Sequence, residues 1–175
     1  GPLLITMLIF FVAYMLGGWM YPTMQKPQVF FNLFINNSSL LIVAIGMTMV
    51  VLTRGIDLSV ASVLALTTVA SAVLLKHGLP PAVVMPLMLL MGITFGFILG
   101  SIIHFFKVEP FIVTLMGSFF ARGMAYIISL TSVTINNDFY RFLALTSIQI
   151  PFLPNAYVYL YALVGPLLLL VTIYI

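Results

Sequence analysis

Thr53-Arg54-Gly55-Ile56-Asp57-Leu58-Ser59-Val60-Ala61-Ser62 sets an arginine, a glycine and an aspartate within four positions, between two long apolar stretches. Charge is expensive in or near hydrocarbon, and an apolar chain tolerates it only at a loop or at a site with a function. The whole chain holds six Lys or Arg and three Asp or Glu, so this run is not background. It is either a turn between two membrane segments or part of a pathway, and both readings place its flanks in a bilayer.

Composition agrees. Apolar residues make up 63% of the 175 residues and charged residues 5%, against about 45–50% and about 25% in soluble domains. The sequence therefore predicts an all-α, polytopic transmembrane bundle, with the lipid bilayer as solvent for most of its surface. Each crossing uses about 20 residues, so about six fit. A net charge of +3 without a basic cluster gives no reason to expect nucleic acid as a partner. The absence of Cys excludes disulfides and thiolate metal sites.

Working outward from the opening run, charged and turn residues mark spans at about 3–20, 29–53, 58–75, 81–103, 111–130 and 156–175. Tyr21-Pro22 and Gln25-Lys26-Pro27-Gln28 end the first, Lys76-His77-Gly78 with Pro80-Pro81 ends the third, and Lys107-Val108-Glu109-Pro110 follows the fourth. Residues 131–155 are too polar to span and too long for a tight turn. They predict an extramembranous loop with one short amphipathic piece, 139–145. The last span is still running at Ile175 without a basic flank, and the start Gly1-Pro2-Leu3 has neither Met nor a basic n-region. Both ends suggest that 1–175 is a fragment of a longer membrane domain, and the first span is not read as a signal peptide. Orientation is undecided: cytoplasmic termini would put Arg54 and Lys107 inside but Lys26, Lys76 and Arg141 outside.

Individual polar residues carry two readings each. Asp57 either caps the third span, accepting hydrogen bonds from its first free N–H groups, or faces a transport path at a helix break. Arg122, halfway along the fifth span, must snorkel, pair with Asp57 or Glu109, or face water. Asn36, Asn37, Ser38 and Ser39 interrupt the second span near one end, and hydrogen bonding between helices is the simpler account. Gly92, Gly96 and Gly100 at i, i+4 and i+8 predict a close-packing seam, with a similar small face through Ala61, Ala65 and Ser62. His77 and His104 stand alone, and no residues at ligand spacing predict a metal site or a cofactor on this chain.

Absences narrow the function. No G-x-x-x-x-G-K-[ST] loop is present, so nucleotide hydrolysis on this chain is not expected. No T-V-G-Y-G-like filter or ring of acidic residues points to a cation channel. A transport subunit that draws its energy from another chain fits these absences, and no enzyme activity is expected.

Here the residues carry a resemblance. The stretch Ala44-Ile45-Gly46-Met47-Thr48-Met49-Val50-Val51-Leu52-Thr53-Arg54-Gly55-Ile56-Asp57-Leu58-Ser59-Val60-Ala61-Ser62 resembles the G-G-I-D-L-S-V-G-S signature of permease subunits of bacterial ABC-type sugar importers, the ribose, xylose and galactofuranose group. Lys107-Val108-Glu109-Pro110-Phe111-Ile112-Val113-Thr114-Leu115 is similar to that family's K-x-P-x-F-I-x-T-L run, Phe119-Phe120-Ala121-Arg122-Gly123 to its R-G motif, and Thr134-Ile135-Asn136-Asn137 to a loop. Galactofuranose-type permeases look closest.

The resemblance implies a multi-pass inner-membrane permease paired with a second permease subunit, as a homo- or heterodimer. Cytoplasmic ATPase subunits and a periplasmic sugar-binding protein are its implied partners. Expected path residues are Asp57, Ser59, Arg122, Asn37 and Thr114. Asn136, Asn137, Asp138 and Arg141 are expected to dock the binding protein. Two departures stand out: the signature's first glycine is Arg54, and its later one is Ala61. The rivals are a structural membrane subunit and a proton-coupled carrier, for which Asp57 is the sole titratable candidate.

Overall fold

The computed structural model describes residues 1–149 and 156–174. Eight α-helices are present among them: α1 (Pro2–Met20), α2 (Pro27–Asn36), α3 (Ser38–Leu52), α4 (Val60–Lys76), α5 (Pro81–Phe106), α6 (Pro110–Ile128), α7 (Asp138–Leu145) and α8 (Val164–Tyr174). Two short strands, β1 (Ser147–Gln149) and β2 (Tyr157–Tyr159), pair antiparallel with Ser147 opposite Tyr159. The expected all-α bundle thus carries one small ladder.

The first, fourth and fifth expected spans are α1, α5 and α6, each long and apolar enough to cross a membrane. The second is α2 and α3, bent by 48° at Asn37. The third, α4, and the stretch 160–170 are shorter apolar helices. The sixth was expected from residue 156, but Ala156 is not helical and Tyr157–Tyr159 is strand. Regular α-helix begins only at Val164. The amphipathic piece expected at 139–145 is α7, and residues 150–155 of the expected loop lie outside the described residues.

Helix ends follow local chemistry. Proline opens α2, α5 and α6 at their first position, where its missing N–H has no intrahelical partner to lose. α4 ends at Gly78, whose φ of 87° only glycine adopts without strain. Gly78 N–H donates to Leu75 O (3.0 Å) and Leu79 N–H to Leu74 O (3.2 Å), the double bond of a Schellman stop.

The chain divides into two compact units, Gly1–Ile42 with Ala144–Ile175, and Val43–Leu143. In the first, the Gln28 amide clamps Tyr157: Nε2 donates to Tyr157 O (3.1 Å) and Oε1 accepts from Tyr157 N (2.6 Å). Gly165 lets α8 lie on α3, since a Cβ there would meet Leu41 Cδ2 and Ser38 O at 3.1 Å.

The second unit is built on α4 against α6, with α5 beside them. Apart from Leu66 on α4, its buried positions in these two helices are small or β-branched: Ser62, Ala70 and Ala72 on α4, and Val113, Thr114, Gly117, Ala121 and Ala125 on α6. Large side chains such as Phe97, Phe119 and Ile127 point outward. This is the pattern of a membrane bundle, where lipid solvates bulky residues and small ones let helices approach. Ser62 Oγ and Ser118 Oγ lie 2.7 Å apart across the α4–α6 contact. Such interhelical bonds average about 0.6 kcal/mol.

Candidate functional site

The site begins where α3 stops. Arg54 N–H donates to Val51 O (2.9 Å) and Gly55 N–H to Val50 O (3.0 Å), a second Schellman stop. The left-handed position is held by Arg54 at φ 59°, a conformation that costs an L side chain about 1–2 kcal/mol relative to glycine. The resemblance places a glycine there, and the backbone angle explains why. Gly55 follows tightly, because a Cβ on it would stand 3.2 Å from Val50 Cγ1 and 3.3 Å from Val50 O.

Residues 56–58 then lead, without regular secondary structure, into α4. Asp57 Oδ1 accepts two hydrogen bonds, from Ser59 N (2.7 Å) and Ser59 Oγ (2.6 Å). Asp57 therefore does not cap α4 by bonding its first turn, as expected. It fixes Ser59, the buried residue preceding the helix, whose own carbonyl takes Val63 N–H at 2.9 Å. From the other side Thr114 Oγ1 donates to Ile56 O at 3.0 Å, tying the turn to α6. Thr114 is thus a positioning residue for the turn and also borders a cavity.

Two cavities meet at Asp57. One, of about 410 Å³, is bordered by Thr53, Asp57, Gly100, His104 and Thr114. The other, of about 460 Å³, runs along α4 and α5 past Ser59, Thr67, Gly92 and Gly96. Both lie in the size range of small-ligand sites, about 300–1,000 Å³. The half-buried carboxylate has Oδ1 committed to Ser59, and no donor among the described residues reaches Oδ2. That oxygen is an acceptor for a solute hydroxyl or ammonium.

The structure brings together Asp57, Ser59 and Thr114. Asn37 belongs to the first unit, exposed at the α2–α3 break, with its Nδ2 donating to Leu33 O (2.7 Å). Ser38 Oγ donates to Ile35 O (3.0 Å), so these two side chains satisfy their own chain turn and do not bridge helices. Arg122 is exposed and makes no ion pair with Asp57 or Glu109. It sits on the flank of α6, since the face carrying Gly117, Ala121 and Ala125 is the one that packs.

Among the described residues the expected seams stand open. A Cβ on Gly92, Gly96 or Gly100 would meet nothing within 4 Å, so no element among the described residues packs on them. They border the cavities instead. Ala61 and Ala65 are exposed, and the packing face of α4 is Ser62, Leu66 and Ala70. The close contact falls at Gly117, where a Cβ would stand 2.7 Å from Leu99 Cδ1. Gly117, Ala121 and Ala125 have the same four-residue spacing as the α5 glycines, so this seam was open to sequence reasoning and was missed.

Of the expected docking residues, Asn137 caps α7, its Oδ1 accepting from Phe139 N at 3.0 Å. Asn136, Asp138 and Arg141 are exposed beside it.

A multi-pass membrane chain with a cavity-facing carboxylate at an inter-helix turn fits a transport protein. The chain belongs to the family described as branched-chain amino acid transport system / permease component, matched over residues 29–175. It is 41% identical over 151 residues to the inner membrane ABC transporter permease protein YjfF of Escherichia coli (strain K12), covering 86% of this chain and 46% of the relative. Similarity is equally high, 41% over 140 residues, to the fructose import permease protein FruG of Bifidobacterium longum (strain NCC 2705), covering 79% of this chain and 41% of the relative. Over 86 residues it is 45% identical to the ribose import permease protein RbsC of Haemophilus influenzae, covering 49% and 27%. The chain thus spans about half the length of the first two relatives. No solved structure matches it.

Proposed function

We propose that this chain forms part of the membrane subunit of an ATP-driven importer for a small sugar, in a bacterial inner membrane. The observation that carries the reading is the 41% identity to YjfF over 151 residues. The names of the fructose and ribose permeases supply the substrate class. The Asp57 turn supports it chemically, because an open carboxylate oxygen beside a cavity bonds sugar hydroxyls well. Energy enters from cytoplasmic ATPase subunits, the solute arrives from a periplasmic binding protein, and a second permease subunit completes the path. Asn136, Asp138 and Arg141 serve the binding protein as a wet, polar contact.

The family description favours a second reading, an aliphatic amino acid as solute. Val60, Val63, Leu64 and Ile93 give the second cavity mostly apolar walls, which suit it. Purification of the complete complex from native membranes separates the two. A co-purifying ATPase and a binding protein that binds a monosaccharide, galactofuranose being the first to assay, support the sugar reading. A binding protein specific for leucine or isoleucine selects the other.

A further inference from the structure

A sugar leaving water must replace each of its hydrogen bonds, since a hydroxyl left without a partner is costly in hydrocarbon. A wall that guides it therefore carries oxygen atoms at short intervals, and the facing wall leaves room. α4 is the helix of this chain richest in hydroxyls, with Ser62, Thr67, Thr68 and Ser71, preceded by Ser59. Ser62 is turned to α6 and held by Ser118. The others border clefts on a different flank. Ser59 and Thr67 border the second cavity, and Thr67, Thr68 and Ser71 border a third of about 420 Å³.

These clefts adjoin. The first and second share Asp57 and Gly96, and the second and third share Thr67, Met88 and Leu89. Twelve helical steps separate Ser59 from Ser71, about 18 Å at about 1.5 Å each, more than half of a hydrocarbon layer about 30 Å thick. Opposite the hydroxyls, Gly92 and Gly96 leave the α5 wall bare, with open space where a Cβ would stand. At the far end Ile135 and Tyr140 border the third cavity.

The hydroxyl chemistry fits a polyol. Thr67 and Thr68 both give their protons to Leu64 O, at 2.9 and 2.7 Å, so the helix is satisfied when the groove is empty. Their oxygens keep lone pairs free to accept. Ser71, half-buried, has no hydrogen bond among the described residues and offers both a donor and an acceptor. An apolar helix laid into this groove would strip water from Asp57 Oδ2 and Ser71 Oγ and give nothing in return.

We propose that this flank of α4, from Ser71 through Thr68 and Thr67 to Ser59 and Asp57, is the wall along which a polyhydroxylated solute moves. The proposal rests on the sugar-permease reading and adds the route and its contacts. These 175 residues hold no cysteine, and each single substitution is made in a complex whose remaining cysteines have been replaced by serine. Thr68→Cys and Ser71→Cys are compared with Leu90→Cys and Phe97→Cys, which are exposed and outside the clefts. Each is placed in the complete transport complex in proteoliposomes and treated with a charged, membrane-impermeant thiosulfonate. The two groove variants should react at least tenfold faster than the controls, more slowly in the presence of the sugar, and should lose uptake once labelled.

Groove labelling no faster than the controls, in a complex that still imports sugar, would overturn the route and leave the permease reading standing. Cross-linking of Ser71→Cys to a second copy of the chain, without water-phase labelling, would make the groove a packing face and also overturn it. If the parental complex imports no sugar, the permease reading fails and the solute class named here fails with it.

Discussion

Thr114→Val removes one hydroxyl and keeps the shape of a side chain that is 4% exposed. In the parent that hydroxyl lies 3.0 Å from Ile56 O, across the gap to the Asp57 turn, and also 2.9 Å from Pro110 O and 3.3 Å from Phe111 O on its own helix. One proton serves all three, so only part of its bonding is between segments. Measured interhelical bonds average about 0.6 kcal/mol and reach about 1.7. Burial raises the value here, sharing lowers it, and a loss of about 1 kcal/mol follows, roughly a fivefold shift in an equilibrium, since about 1.4 kcal/mol is tenfold. Thermal unfolding of the purified protein, followed by loss of the monodisperse peak on size exclusion, should show a midpoint about 2–4 °C lower. Sugar uptake should fall with it, because the turn carrying Asp57 is released. Thr114→Ser keeps the donor and should recover most of both. If Thr114→Val matches the parent while Thr114→Ser is the weaker variant, packing of the methyl group holds the turn and the hydrogen bond does not.

Arg54→Gly relieves a left-handed penalty of about 1–2 kcal/mol and gives back about 0.4–1 kcal/mol of unfolded-chain entropy; the same unfolding assay should show a midpoint at or above the parent's, and Arg54→Val one below it. Gly117→Leu drives atoms into Leu99 and should prevent the protein from reaching a monodisperse folded state, whereas Gly96→Leu meets open space, should fold, and should block uptake. Asp57→Asn keeps an acceptor for Ser59 and should leave the midpoint within about 1 °C of the parent's, equivalent to a few tenths of a kcal/mol, while lowering uptake, so parental uptake by this variant would remove the role of its charge.

Apolar runs and their polar breaks located the helices well because lipid demands both length and apolarity. The breaks themselves were less legible. The α2–α3 bend is set by Asn37 and Ser38 bonding back to Leu33 and Ile35 carbonyls, which spacing alone does not distinguish from bonds between helices. The late start of α8 follows from β2 pairing with β1 and from the Gln28 clamp on Tyr157, the clamp being a contact across 129 residues. Asp57 was found from its rarity, and Ser59 through the resemblance. Thr114 came only through the resemblance, since its bond to Ile56 depends on how α6 lies against the turn. The glycine stripe on α5 and the Gly117 seam on α6 share one spacing, so sequence could not tell a packed face from an open one. Which face meets a neighbour is decided by the tertiary arrangement. Arg54 illustrates the reverse case: a resemblance flagged the missing glycine, and the φ of 59° gave it a physical meaning.

The central claim is that this chain helps carry a small sugar across a membrane with Asp57 at the path. The most direct measurement is uptake of radiolabelled monosaccharide into proteoliposomes holding the complete complex, its binding protein outside and ATP inside, with the parent and Asp57→Asn side by side. The account predicts ATP-dependent sugar accumulation by the parent, a severalfold lower rate for Asp57→Asn, and no accumulation of leucine or isoleucine by either. Accumulation of the amino acids and not the sugar, or equal sugar rates for the two proteins, would contradict it.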